Sequence, residues 1–305
     1  MAAAQASAGA SVGGRHFLET PIKTLQQDSI KAPIMAKSET SYFVFDIESV
    51  ADGGLVSRLK YQGENLTPAA AIARFRAELL AENGKDFIPY TYQLPVSLVI
   101  AKVARDFRLI DLVALDEAEA RPHEIVRLFW EGWRRYDRPT LVTFNGRGFD
   151  LPLLELCAFR YGIQIPDWFA EDARNFDQPR YRYNMSAHLD LHEWLTNNGA
   201  SRFNGGLSLA ANLIGKPGKM DVAGHMVQDL WDAGKAADIH DYCRGDVLDT
   251  YFIFLRSRVL AGDIDLKKEH TLIESAREWI ESHTDQFPGL VKYLAAWGDW
   301  KSPWA

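Results

Sequence analysis

Tyr42-Phe43-Val44-Phe45-Asp46-Ile47-Glu48 begins with aromatic and β-branched residues that favour a pleated strand, and it closes on two acids. A strand has a side-chain period of two, so Asp46 and Glu48 point to the same face. Like charges at that spacing repel, and burying them is costly unless a cation lies between them. A hard divalent ion such as Mg²⁺ or Mn²⁺ suits the position because it takes oxygen ligands. An edge strand with both acids in solvent has the same local sequence, so the choice rests on what the rest of the chain supplies.

Downstream, Val96 to Ala104 and Phe107 to Ala114 read as long strands joined by a tight turn at Arg105-Asp106. With the first strand they predict an antiparallel three-stranded sheet. Between them, Asp52-Gly53-Gly54 reads as a turn, and Thr67-Pro68 followed by alanines predicts a capped helix reaching Leu80. Residues 122–136 carry Ile125, Leu128, Phe129 and Trp133 at helical period. Leu141-Val142-Thr143-Phe144 reads as a short buried strand and Leu151 to Tyr161 as a helix. Residues 163–206 read mostly as loop, with one short element from His188 to Leu195. Further helices are predicted from Ser208 to Ile214, Met226 to Ala233, Ala236 to Leu260 and Lys267 to His283. Strands first and helices after define an α/β chain with a mixed sheet.

The 305 residues, 47% hydrophobic and 25% charged, match an ordinary globular protein with a sizeable core. A net charge of -7 argues against sequence-independent coating of nucleic acid or an anionic membrane, yet leaves room for a local basic groove at one strand end. Cys157 and Cys243, both in predicted helices, offer neither a disulfide framework nor a zinc cluster, as expected for a cytoplasmic protein. No apolar run reaches membrane-spanning length and no signal segment opens the chain, so no membrane partner is expected. Residues 1–14 are too poor in large apolar side chains to order themselves. The expected organisation is a flexible arm over 1–40, the main domain over 41–262, and a C-terminal helix and Trp-rich tail over 263–305, with Trp297, Trp300 and Trp304 as a hydrophobic clasp.

Two more constellations carry chemistry. Asn145-Gly146-Arg147-Gly148-Phe149-Asp150 lies where a short buried strand turns into a helix, the place where open α/β sheets position ligands. No Gly-Lys-Ser/Thr follows, so this is not a phosphate-binding P-loop. Asp150 also fits a purely structural role as a helix N-terminal acid. In Asp241-Tyr242-Cys243-Arg244-Gly245-Asp246, the Tyr242 and Asp246 side chains are spaced i, i+4 and share one helical face. Asp249 is a competing ligand candidate, with a solvated helix face as its plainer reading.

In this order the three constellations resemble the exonuclease motifs of the DnaQ-like (DEDD) 3′-to-5′ exonuclease superfamily. Tyr242-x-x-x-Asp246 marks the DEDDy branch, and Asn145-x-x-x-Phe149-Asp150 is similar to the proofreading domain of family-B DNA polymerases. Within that group the chain resembles stand-alone bacterial exonucleases, over about residues 42–260. The resemblance implies a ribonuclease-H-like fold, a mixed five-stranded sheet flanked by helices. It further implies that Asp46, Glu48, Asp150 and Asp246 hold two Mg²⁺ or Mn²⁺ ions and that Tyr242 orients the attacking water. Two such ions can clamp an in-line displacement at phosphorus. Tyrosine, with an ordinary pKa of about 10, is a poor base at neutral pH, so its role is positioning.

For the substrate, Arg174, Arg180, Arg182, Arg202, Lys216 and Lys219 are interleaved with Phe176, Tyr181, Tyr183 and Phe203. Such a pattern suits a single-strand groove, with charge for the backbone and rings for the bases; it equally suits a surface loop with snorkelling arginines. Ser49 and Asn145, together with Phe149, adjoin the ligands and are expected contacts of the terminal nucleotide, with Arg180 and Arg182 further along the strand. His188 and Asp190 could orient the metal ligands, or His188 could be a satisfied core histidine. The expected activity is hydrolysis of single-stranded nucleic acid from its 3′ end, DNA before RNA, with a polymerase or repair protein as a partner. A non-catalytic binding or polymerase-accessory module, and an exoribonuclease, are the alternatives.

Overall fold

A computed structural model describes residues 39–218, 226–298 and 300–304, and the described residues belong to one compact unit. The expectations for the disordered start and for most of the arm, like that for Lys219, lie outside the described residues. The strands are β1 (Thr40–Ala51), β2 (Gln93–Ala104), β3 (Leu109–Ala114), β4 (Thr140–Thr143) and β5 (His188–Asp190). They form one sheet in the order β3-β2-β1-β4-β5. The β1–β2 and β2–β3 pairs are antiparallel, and the β1–β4 and β4–β5 pairs are parallel. The expected mixed five-stranded α/β sheet is therefore present, and β1 is its central strand.

Helices α1 (Gly53–Lys60) and α2 (Pro68–Asn83) fill the connection from β1 to β2, and α3 (Pro122–Arg135) that from β3 to β4. Between β4 and β5 come α4 (Asp150–Tyr161) and α5 (Pro166–Phe169). After β5 the chain is helical, through α6 (Leu191–Leu195), α7 (Gly206–Asn212), α8 (Val227–Asp232), α9 (Ala236–Ala261), α10 (Leu266–Ser282) and α11 (Gly289–Ala295).

Alternation along β1 sorts its side chains between two cores. Phe43, Phe45 and Ile47 pack with Ile125, Phe129 and Trp133 of α3 and with Leu153 and Leu154 of α4. Val44 packs on the opposite face with Val247, Tyr251 and Phe254 of α9. By the same period Asp46 and Glu48 face α9. Helix α9 is buried over most of its length and thus has no solvated side to give Asp249.

Three local expectations change. Asp52-Gly53-Gly54 is a helix start, because the Asp52 carboxylate accepts a hydrogen bond from the Leu55 N–H at 3.0 Å and caps α1. β3 begins at Leu109, two residues later than expected, because Phe107 adopts a left-handed φ of 71° in the turn. In the tail, Trp297 packs edge-on to Phe252 at 5.1 Å, but Trp304 is 84% exposed and takes no part in a clasp.

A carboxylate cluster between strand and helix

β1 delivers Asp46 and Glu48 to the face against which α9 lies, and α9 delivers Asp246. Carboxylate oxygens of these three residues lie within 4.8 Å of one another. Just past Glu48 the β1–β2 register shifts, from Glu48 opposite Ser97 to Ser49 opposite Pro95. Pro95 has no N–H for the ladder, and the irregularity falls where the strand leaves the acids.

Asp150 is the first residue of α4, is buried, and leaves its Oδ1 without a hydrogen-bond partner among the described residues. Its carboxylate stands beside β1, close enough that its charge acts more strongly on the Asp46 carboxyl than any other. Burial, followed by the charges of Asp150, Glu48 and Asp246, holds the Asp46 carboxyl well above the usual carboxylate range. Burial, with the charge of Asp190 adding to it, raises Asp150 to about 7. Four carboxylates crowded out of water are a costly arrangement that bound cations relieve. The donor set is all oxygen and fits Mg²⁺ or Mn²⁺.

Tyr242 is buried beside the cluster and hydrogen-bonds Asp246. Burial first, and then the charges of Asp246, Glu48 and Asp46, drive its phenol far above its ordinary value. It is a hydrogen-bond donor here and not a base. The neighbouring Cys243 thiol donates to the Asp46 carbonyl at 3.4 Å, joining α9 to β1 at the site.

The loop before Asp150 is shaped from below. Asp190 accepts from the backbone N–H of Asn145 and of Arg147, at 2.9 Å each, and also caps α6 through the N–H of His192 at 3.0 Å. Asn145 takes a left-handed φ of 67°. At Gly146 a Cβ would stand 2.5 Å from the Thr143 side chain, so no other residue fits without a shift. Thr143 Oγ1 lies 2.8 Å from His188 Nε2. His188 is fully buried, and burial followed by the Arg147 charge holds its pKa well below the ordinary value, making it a neutral core histidine.

The expected substrate residues divide. Ser49 donates its hydroxyl to Gln93 Oε1. The Phe149 ring lies 5.8 Å from that of Phe87. Asn145, Arg180 and Arg182 line one cleft of about 500 Å³. Within it, however, Arg180 is held in a two-pronged pair with Glu155 at 2.9 Å and Arg182 is paired with Glu193 at 2.7 Å. Lys216 is not in this groove: it is buried, with Nζ 3.9 Å from the Trp297 ring centroid, and burial lowers its pKa to about 8. Asp249 lies outside the acid cluster, fully buried, where it accepts from the Tyr293 hydroxyl at 2.7 Å. Neither the ligand role nor the solvated face suits it.

Sequence reading gave no part to Phe87 or Gln93. Both sit in a stretch without periodicity, and Gln93 meets Ser49 only through the pairing of β1 with β2.

A mixed five-stranded sheet carrying an acidic cluster between its central strand and a long helix defines an α/β domain of the ribonuclease-H-like exonuclease kind. The chain belongs to the family described as a predicted 3′-5′ exonuclease related to the exonuclease domain of PolB, whose model matches residues 85–297. That span contains Asn145 to Asp150 and Tyr242 to Asp246, and the fold adds Asp46 and Glu48 from β1, which precedes it. No curated protein matches the chain.

Proposed function

We propose that the protein is a metal-dependent 3′-to-5′ exonuclease that hydrolyses phosphodiester bonds at the 3′ end of single-stranded nucleic acid, DNA in preference to RNA, and releases 5′-mononucleotides. The observation that carries this reading is the convergence of Asp46, Glu48 and Asp246 oxygens within 4.8 Å, in a chain of an exonuclease family. Asp46, Glu48, Asp150 and Asp246 would hold two Mg²⁺ or Mn²⁺ ions. When bound, such a pair supplies an acidified water and stabilises charge on the leaving 3′ oxygen.

The chain's own residues then position the reactants. Tyr242, which keeps its proton, orients the attacking water by hydrogen bonding. Asn145, on a loop fixed by Asp190, and Ser49, at the β1 irregularity, contact the terminal nucleotide. Arg180 and Arg182 meet the strand beyond it, exchanging carboxylate partners for phosphates. Kinship with a polymerase exonuclease domain supports a polymerase or repair protein as partner.

The test is hydrolysis of 3′- and 5′-labelled oligonucleotides of matched DNA and RNA sequence with Mg²⁺ or Mn²⁺. Stepwise shortening of 5′-labelled strands and release of labelled mononucleotide from 3′-labelled ones are expected. Shortening from the 5′ end, or activity that survives Asp46→Ala, overturns the reading. Binding of single strands without turnover would make the protein a nucleic-acid-binding module instead.

A further inference from the structure

Phe159, in the last turn of α4, is 83% exposed, and Phe169, which ends α5, is 37% exposed. With Ile163 and Pro166 they line a groove of about 920 Å³. The frame that carries the two rings is packed. Ile165 and Trp168 are buried, Trp168 lies 5.5 Å from Trp130 and 5.7 Å from Trp133, and its indole N–H donates to Glu155 Oε1 at 2.8 Å. The Ala170 N–H donates to the Pro166 carbonyl at 2.7 Å and closes α5. Two rings held in water on such a frame add little to the core, and a contiguous apolar surface of this kind marks an interaction site.

The charge around the groove says what it attracts. Its lining holds Glu155, Glu171 and Asp172 and neither Lys nor Arg. Glu155 is spent on Arg180, whose guanidinium stands 5.3 Å from the Phe169 ring centroid at the groove's edge. Glu171 and Asp172 are exposed and make no ion pair among the described residues. The guanidiniums of Arg147, Arg180 and Arg182 gather instead in the neighbouring cleft, which shares Glu155 with the groove. A phosphate backbone is drawn to those arginines and repelled by the two unpaired acids. The groove therefore suits an apolar group accompanied by positive charge.

We infer that the groove between α4 and α5 is the docking site for a short segment of a partner protein, an aromatic or branched aliphatic anchor with Lys or Arg beside it, the anchor seated against Phe159 and Phe169 and the cation facing Glu171 and Asp172. At such interfaces a buried anchor carries most of the binding energy, while rim charges set the rate of association. Phe159 is nine residues beyond Asp150 in α4, about 13 Å along the helix axis, so a segment held there sits clear of Asp150. The inference rests on the exonuclease reading only for the kind of partner, a polymerase or repair protein, and not for the chemistry of the groove.

The experiment is selection from a random phage-displayed peptide library on the full-length chain. The selected peptides, synthesised with a dye, are then titrated by fluorescence anisotropy against wild type, Phe159→Ala and the double variant Glu171→Lys, Asp172→Lys. They should combine an aromatic or branched aliphatic residue with Lys or Arg. Phe159→Ala should weaken their binding about tenfold or more, the scale of one lost hot-spot ring. The charge-reversed variant should slow association and remove its dependence on salt. Both variants should keep the wild-type melting temperature, because the substituted side chains are exposed. Peptides that lack basic residues, that bind Phe159→Ala as tightly as wild type, or that an oligonucleotide displaces overturn the inference, as does a library that yields no binder. Sedimentation showing wild type self-associated and Phe159→Ala monomeric would give the groove to a second copy of the chain and overturn it as well. Peptide binding is read without nucleic acid, so it decides the groove whether or not the chain hydrolyses a strand.

Discussion

Asp190 and Asn145 are 45 positions apart, yet the carboxylate of one holds the backbone N–H of the other at 2.9 Å. β4 and β5 pair in parallel with Thr143 opposite Asp190, and this register brings them together. Asp190 thus fixes the loop that leads into Asp150 without joining the acid cluster. Asp190→Ala leaves the N–H groups of Asn145 and Arg147 without this partner and should lower unfolding stability by about 3 kcal/mol, measured by urea titration. Asp190→Asn, which keeps an acceptor oxygen, should lose less. In both variants KM for an oligonucleotide should rise as Asn145 loses its anchor.

The acids of the cluster oppose folding when no cation is bound. Asp46→Asn removes one charge from the crowd, so its melting temperature in EDTA should exceed that of wild type, a trade of stability against activity. Hydrolysis should fall by about 10³-fold or more, as expected when a metal-based centre loses a ligand. A variant that melts lower than wild type in EDTA would show that the acids do not repel.

The pH dependence follows from Asp150, whose pKa rises from 3.8 to about 7 in the fold. The folded state therefore holds the proton more tightly than the unfolded one. Its stabilising contribution is fully present below about pH 4 and is lost as pH climbs through about 7. Asp46 shifts in the same direction. In EDTA the melting temperature should carry a component that falls across this interval, and Mn²⁺ should remove it by favouring the ionised carboxylates. Calorimetric titration with Mn²⁺ should show protons released on binding near pH 6.

Tyr242→Phe separates positioning from proton transfer. The variant loses one hydrogen bond next to charged groups, a change of about 1.5–3 kcal/mol, so kcat should drop by roughly ten- to hundredfold. The pH profile should keep its shape, since the phenol does not titrate in the working range. A vanished alkaline limb would identify Tyr242 as the base.

Asp249 is tested by contrast. Asp249→Asn preserves an acceptor for the Tyr293 hydroxyl, whereas Asp249→Ala strands that hydroxyl in the interior at a cost of about 1–3 kcal/mol. Both variants should retain Mn²⁺ affinity in calorimetry, unlike Asp46→Asn.

Much of this was legible because it is written in periodicity. β1 alternates between two cores, so the placement of Asp46 and Glu48 on one face follows from counting by two. Tyr242 and Asp246 share a face by counting by four. Where the chain offers only three residues, as in β5, no alternation can develop, and the strand is visible only in its pairing with β4. Asp52 misleads because the same Asp-Gly-Gly closes a turn or caps a helix, and the helix has to pack before the two differ. Lys216 and Asp249 read as surface charges because nothing local announces that Trp297 and Tyr293, far along the chain, cover them.

The strand order has one further consequence. A fragment beginning at residue 85, where the family match starts, would retain β2 to β5 and lose the strand between β2 and β4. Two pairs of strands would then face each other across an empty lane, each with a freshly opened, apolar hydrogen-bonding edge. Such edges recruit strands from other molecules. The residues ahead of the matched span are thus the keystone of the sheet as well as the source of half of its acids, and a fragment without them should aggregate rather than merely fall silent.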